Sequence, residues 1–216
     1  MCELHPIDQV IQKQFPTVMV PLHSKLPPLK KAGHRFLMGK NGMWVEVKRP
    51  WLSATLQVNE QSAFPMPYGR VEASLSVMPV PIYLIKQFTE YAESQLPNEC
   101  AAQIILNEIT GNWRLEILKA SSVGGGHVDF VIAPLQANEH LVMDIHSHGY
   151  HPVYFSKKDD ADDKGGFYIA GVIGFKKQEG QSSHSSNGIF RLCMNNLFTR
   201  LSVKKTSDHF HFYIGD

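Results

Sequence analysis

The sequence predicts an α+β protein in two parts, a small β-rich module over residues 1–78 and a larger α+β unit over residues 79–216. Three observations predict it. The first third of the chain is dense in proline and carries short apolar runs separated by turn residues, including Pro27-Pro28 and Pro65-Met66-Pro67. The pattern then changes at Met78-Pro79-Val80-Pro81, the natural place for a seam. A single stretch of helical periodicity follows, and behind it come seven apolar runs of strand length.

In residues 1–78 no helix of any length is expected. Arg35 to Met38 and Met43 to Val47 flank Lys40-Asn41-Gly42, whose Asn-Gly pair favours a tight hairpin turn; Trp51 to Val58 and Val71 to Val77 complete a small sheet. Trp44 and Trp51 are expected in its core. In the second part, Ile82 to Gln95 reads as an amphipathic helix, with Ile82, Ile85, Phe88 or Thr89, and Ala92 at helical spacing before Pro97 ends it. Strands are predicted over Glu99 to Leu106, Trp113 to Ala120, Val128 to Ala133, His140 to Ile145, Phe167 to Phe175, Gly188 to Met194 and His209 to Ile214, with Thr110-Gly111-Asn112 as a hairpin turn. Gly124-Gly125-Gly126 lacks the following Gly-Lys-Ser/Thr of a phosphate loop and reads as a turn. Gln181 to Asn187 is serine-rich and reads as a solvated loop.

Composition excludes several functions. Lys and Arg total 21 against 20 acidic residues, a formal charge of +1, so nothing draws the chain to nucleic acid or anionic lipid. Cys2, Cys100 and Cys193 are odd in number and widely spaced, which rules out a disulfide framework and a Cys-x-x-Cys motif, and predicts a reducing, cytoplasmic setting. No window approaches the ~20 apolar residues of a membrane span, and Met1 to Pro6 does not open a signal peptide, so a soluble, unexported protein is expected.

The chemistry concentrates in Asp144-Ile145-His146-Ser147-His148 and Ser156-Lys157-Lys158-Asp159. Side chains two apart on a strand share a face, so both imidazoles can converge on one ion. Seven residues separate His148 from Ser156, and a serine and a carboxylate three apart share a face of a first helical turn. Two histidines and one carboxylate are the ligand count of a catalytic zinc that keeps its fourth position for water. Each piece also has a simpler reading. Ser156-x-x-Asp159 is a capping box in its own right. His209-Phe210-His211 repeats the histidine spacing without a third ligand in view, because Asp208 points to the opposite face of a regular strand. The acidic run Asp159 to Asp163 lacks the closing glutamate of a calcium loop and suits a solvated helix start.

The string His-x-His-x7-Ser-x2-Asp formed by His146, His148, Ser156 and Asp159 resembles the signature of the JAMM/MPN+ (JAB) metallopeptidases. That family also places a glutamate upstream, at the start of a strand after its first helix, and Leu96 to Leu106 resembles that segment with Glu99 at the matching position. The resemblance spans roughly residues 80–216 and implies a mixed sheet flanked by helices. Two positions depart from the pattern: Cys100 is followed by Ala101 where relatives often have glycine, and Gly149 stands where they often have proline.

The resemblance implies Zn²⁺ held by His146, His148 and Asp159. It makes Glu99 the base that takes the water proton and passes it to the leaving amine, with Ser156 and the metal stabilising the oxyanion. Glu108, at the far end of the same strand, is the rival base. Cys100 is expected as a buried small residue, and His151 as either an exposed loop residue, a transient ligand or a substrate contact. Many relatives cut a peptide or isopeptide bond of ubiquitin or a ubiquitin-like protein. The layout of the whole chain further resembles the JAMM-type proteins of bacterial PRTRC cassettes, which occur with a ThiF/E1-like protein and a small ubiquitin-like one, so the N-terminal module is a candidate partner-binding element. Two other readings remain open: a non-catalytic MPN scaffold, and a zinc hydrolase of a small amide conjugate.

Overall fold

The computed structural model describes residues 4–59, 66–124, 127–132, 134–177 and 184–215. The chain forms two compact units, Met1–Met78 and Pro79–Asp216. Among the described residues, no helix is long and apolar enough to cross a membrane.

The first unit opens with helix α1 (Pro6–Gln14), followed by strands β1 (Thr17–Met19), β2 (Gly33–Gly39), β3 (Gly42–Arg49), β4 (Leu52–Asn59) and β5 (Ser74–Val77). The strands make one sheet in sequence order, with β1 parallel to β2 and the rest antiparallel. Helix α1 corrects the expectation of a helix-free module. Its bounding prolines are compatible with it: Pro6 sits in the first turn, where its missing N–H is no loss, and Pro16 lies beyond the end. The hairpin turn is Lys40-Asn41, with Gly39 paired to Gly42 and Gly42 at φ 112°, so the glycine closes the turn instead of forming its tip. Asn41 is occupied elsewhere: its side chain donates to the Val71 carbonyl at 2.7 Å and accepts from the Val71 N–H at 2.9 Å. Trp44 and Trp51 are buried, Trp44 with Val20, Leu37 and Val71.

The second unit comprises β6 (Val80–Pro81), α2 (Ile82–Ser94), β7 (Ala101–Asn107), β8 (Trp113–Ile117), β9 (Lys119–Gly124), β10 (His127–Val131), β11 (Glu139–Ser147), α3 (Lys157–Asp162), a 3-10 turn at Asp163–Gly165, β12 (Phe167–Lys177), β13 (His184–Met194), β14 (Leu197–Lys205) and β15 (His209–Ile214). Eight strands form a mixed sheet in the order β6-β15-β14-β13-β12-β11-β7-β8, parallel only between β11 and β12. Strands β9 and β10 make a separate hairpin. Ile82, Leu84, Ile85, Phe88 and Ala92 of α2 are buried, while α3 buries no residue, so the helical layer beside the sheet is essentially α2. Strand β12 is buried over Ile169–Phe175 and β7 over Ala101–Leu106, on both faces in each case, as the continuous apolar runs of central strands require.

Three expectations change. The run Trp113 to Ala120 divides because the Leu118 N–H bonds to the Ala101 carbonyl, after which the chain leaves β7 and pairs with β10. Of the serine-rich stretch, His184–Asn187 belongs to β13, paired with Gly174–Lys177, and Gln181–Ser183 lie outside the described residues. Strand β14 was not anticipated, although the two-residue turn before it, Asn195-Asn196 at φ 43° and 73°, is a hairpin signal. Gly125, Gly126 and Ala133 also lie outside the described residues.

Candidate metal centre

The parallel pairing of β11 with β12 creates the site. A chain leaving the C-terminal end of one parallel strand must cross back to the start of the next, so residues 148–166 return over the sheet and carry α3 with them. Asp144 and His146 alternate onto one face of β11, flanked by Ala170 of β12 opposite Asp144 and by Ala101 of β7 opposite His146. These alanines line the floor of a cleft of about 630 Å³, together with Glu99, His148, His151, Tyr154, Ser156 and Asp159.

One ligand atom from each of His146, His148 and Asp159 lies within 4.8 Å of the others, the only such group of three among the described residues. His146 Nε2 is buried without a hydrogen-bond partner and stands 3.5 Å from Asp159 Oδ1. Burial holds the His146 imidazole below its ordinary pKa, against the opposing pull of Asp159, so its lone pair is available at neutral pH. His148 Nδ1 lies 2.9 Å from the Pro152 carbonyl, which can only accept; the ring proton is therefore on Nδ1 and the lone pair on Nε2. An orphaned buried nitrogen, a histidine held in one tautomer and a facing carboxylate form a donor set that fits zinc.

Asp159 is both ligand candidate and cap. Its Oδ2 accepts the Ser156 N–H at 2.6 Å and its own N–H donates to Ser156 Oγ at 3.1 Å, closing a capping box, while Oδ1 faces His146. Glu99 lies just before β7. Carrying the antiparallel register on from His146 opposite Ala101 puts it abreast of His148, half-buried at the cleft wall. Buried Ser147 secures this edge: its Oγ accepts the Cys100 N–H at 3.0 Å and its N–H donates to the Cys100 carbonyl at 2.8 Å. Glu108 sits at the other end of β7, 3.1 Å from His140 and away from the cleft.

Gly149 explains its own departure from the usual proline. Its φ is 54°, unreachable for proline, and a Cβ would stand 2.6 Å from the Pro97 carbonyl. His151 is exposed at the cleft. The rings of His209 and His211 are 6.4 Å apart. The acids beside Asp159 are individually engaged, Asp160 and Asp163 with Arg191 and Asp162 with Lys158, so they do not converge on an ion.

Sequence reasoning assigned no role to Asp144, Tyr154 or Arg191. Asp144 was legible as sharing a face with His146; it accepts from Gln103 at 3.0 Å, and burial pushes its carboxyl up to about 6. Tyr154 packs edge-on against His148, with centroids 5.2 Å apart. No sequence signal joins Arg191 to the site.

Residues 81–185 match the family described as prokaryotic homologs of the JAB domain. Residues 5–78 match a domain of unknown function, DUF2016. No curated protein and no solved structure matches the chain.

Proposed function

We propose that the second unit is a zinc-dependent hydrolase of a peptide or isopeptide bond. The observation that carries this reading is the convergence of His146, His148 and Asp159 beside an unpartnered buried imidazole nitrogen, with Glu99 in the same cleft. The match to prokaryotic JAB-domain homologs supports it independently. Held by three protein ligands, zinc would acidify water to a pKa near ~7 and polarise a carbonyl.

The chain's own residues supply the rest. Glu99 takes a proton from water and delivers it to the leaving nitrogen. Ser156 Oγ accepts from the Asp159 N–H, leaving its own hydroxyl proton to donate to an oxyanion. Phe130, Ile132 and Leu118 add apolar surface to a cleft otherwise rich in carboxylates, suited to the side chains of an extended peptide. Buried Cys100 and Cys193 stay thiols in the reducing cytoplasm this reading assumes, and neither is needed as a nucleophile. By resemblance to the JAMM group, the preferred substrate is an isopeptide or C-terminal peptide bond of a ubiquitin-like protein; the looser resemblance to the PRTRC cassette proteins adds a ThiF/E1-like protein as partner, with the N-terminal unit as the element that recognises a cassette partner.

The test is metal analysis with two variants. Glu99→Gln is expected to retain zinc while hydrolysis falls by about 10²-fold or more; His146→Ala is expected to lose both. Full activity in the Glu99 variant would move the base elsewhere, and wild-type protein without metal would leave a scaffold. The cleft volume also suits a small amide conjugate, which a parallel assay on peptide and small-molecule amides distinguishes.

A further inference from the structure

We propose that Arg191 is a positioning residue for Asp159, clamping the segment that carries the carboxylate against the sheet; the inference rests on the zinc reading above. Helix α3 has six residues and no buried side chain, too short and too poorly packed to hold itself in place. Its capping box sets local geometry but does not attach it to β11, where His146 waits. Attachment comes from β13. Arg191, opposite Ala170 in the sheet, is only 6% exposed, and its guanidinium grips the segment at several points. Nε and Nη2 donate to Asp163 Oδ2 at 3.1 and 2.6 Å, and Nη1 donates to Asp160 Oδ1 at 2.5 Å. Its carbon centre lies 4.0 Å from the Phe155 ring centroid and 4.1 Å from that of Phe198. Tyr168 donates to the other oxygen of Asp163 at 2.7 Å.

The gripped residues bracket the functional ones: Phe155 precedes Ser156, Asp160 follows Asp159, and Asp163 begins the 3-10 turn. Asp159 has spent one oxygen on the cap, so only the other can serve a metal, and a small slide or roll of α3 would turn it away from His146. A buried ion pair is a poor source of stability because desolvation offsets its attraction, which leaves placement as the better reason for this one. Only a flat fork can bond two carboxylates while its faces meet aromatic rings, so lysine is not an equivalent.

The test is zinc affinity of the full chain, measured by competition with a chromophoric chelator. Arg191→Lys is expected to weaken zinc binding by about tenfold or more. Asp159→Asn is expected to weaken it at least as much, and the double variant to be no weaker than Asp159→Asn alone, because an effect passed through Asp159 disappears with it. Affinity within about twofold of wild type for Arg191→Lys, or losses that multiply in the double variant, would overturn the inference while leaving the zinc site standing. Wild-type protein that takes up no zinc would overturn both. If the arginine variants fail to fold, Asp160→Asn, which weakens one bond at a half-exposed carboxylate, gives the reading: weakened zinc binding supports the clamp, and unchanged affinity sinks it.

Discussion

Asp159 turns one oxygen to the helix cap and the other toward His146, so the capping box of Ser156-x-x-Asp159 leaves an oxygen free for the proposed ligand role. The cap fixes the carboxylate's rotation, and the orphaned nitrogen of His146 gives its free oxygen a direction. Asp144, two residues before His146, carries a separate consequence. Its carboxyl is pushed up to about 6 by burial, above the ~4 of an unfolded chain. Between those values the folded state holds a proton that the unfolded state has released, so stability from this group is present below pH ~4 and lost as pH rises to ~6. The metal-free Asp144→Asn variant should therefore gain on the order of 2 kcal/mol over the parent at pH 8 and nothing near pH 4, because the amide keeps an oxygen for Gln103 without a buried charge. Urea unfolding at the two pH values measures it, and an equal effect at both would exclude the titration.

The elements matter through the few backbone positions that aim them. The β11 end turns sharply at Gly149, and that turn brings Tyr154, Ser156 and α3 back over the cleft. Gly149→Ala should cost about 1–3 kcal/mol, from strained φ and the approach of Pro97, and should weaken zinc as well as stability. Ser147 holds the start of β7 to the end of β11. Its replacement by alanine leaves the buried Cys100 N–H without a partner, an expected loss of about 1–3 kcal/mol seen as a lowered urea midpoint with unchanged slope. If Ser147 also sets Glu99, that variant will lose hydrolysis while keeping its zinc affinity. Helix α1 shows how local chemistry misleads: proline density argued against any helix in the first unit, yet the two prolines nearest this stretch, Pro6 and Pro16, fall at the helix edges, where the fixed φ is tolerated.

At the scale of the whole molecule, a metal that binds only the folded second unit must stabilise it by mass action. At free zinc about a hundredfold above Kd the gain is about 2.7 kcal/mol. Chelation should thus lower that unit's thermal midpoint by roughly 5–10 °C, read by calorimetry with and without chelator. An unchanged midpoint would argue against zinc binding at this site. The sequence alone determined what depends on near neighbours: the helix at Ile82, most strands, the shared face of His146 and His148 and the cap at Ser156. The family resemblance had already named Asp159 beside the histidines and Glu99 over Glu108; tertiary structure alone decided the geometry, with Asp159 Oδ1 3.5 Å from His146, Gly149 bending where proline cannot, and Arg191 reaching across to hold α3. The physical reason is that periodicity and caps express interactions within a turn or a strand, whereas strand order, register and the path of a crossover arise from packing between residues far apart in the chain.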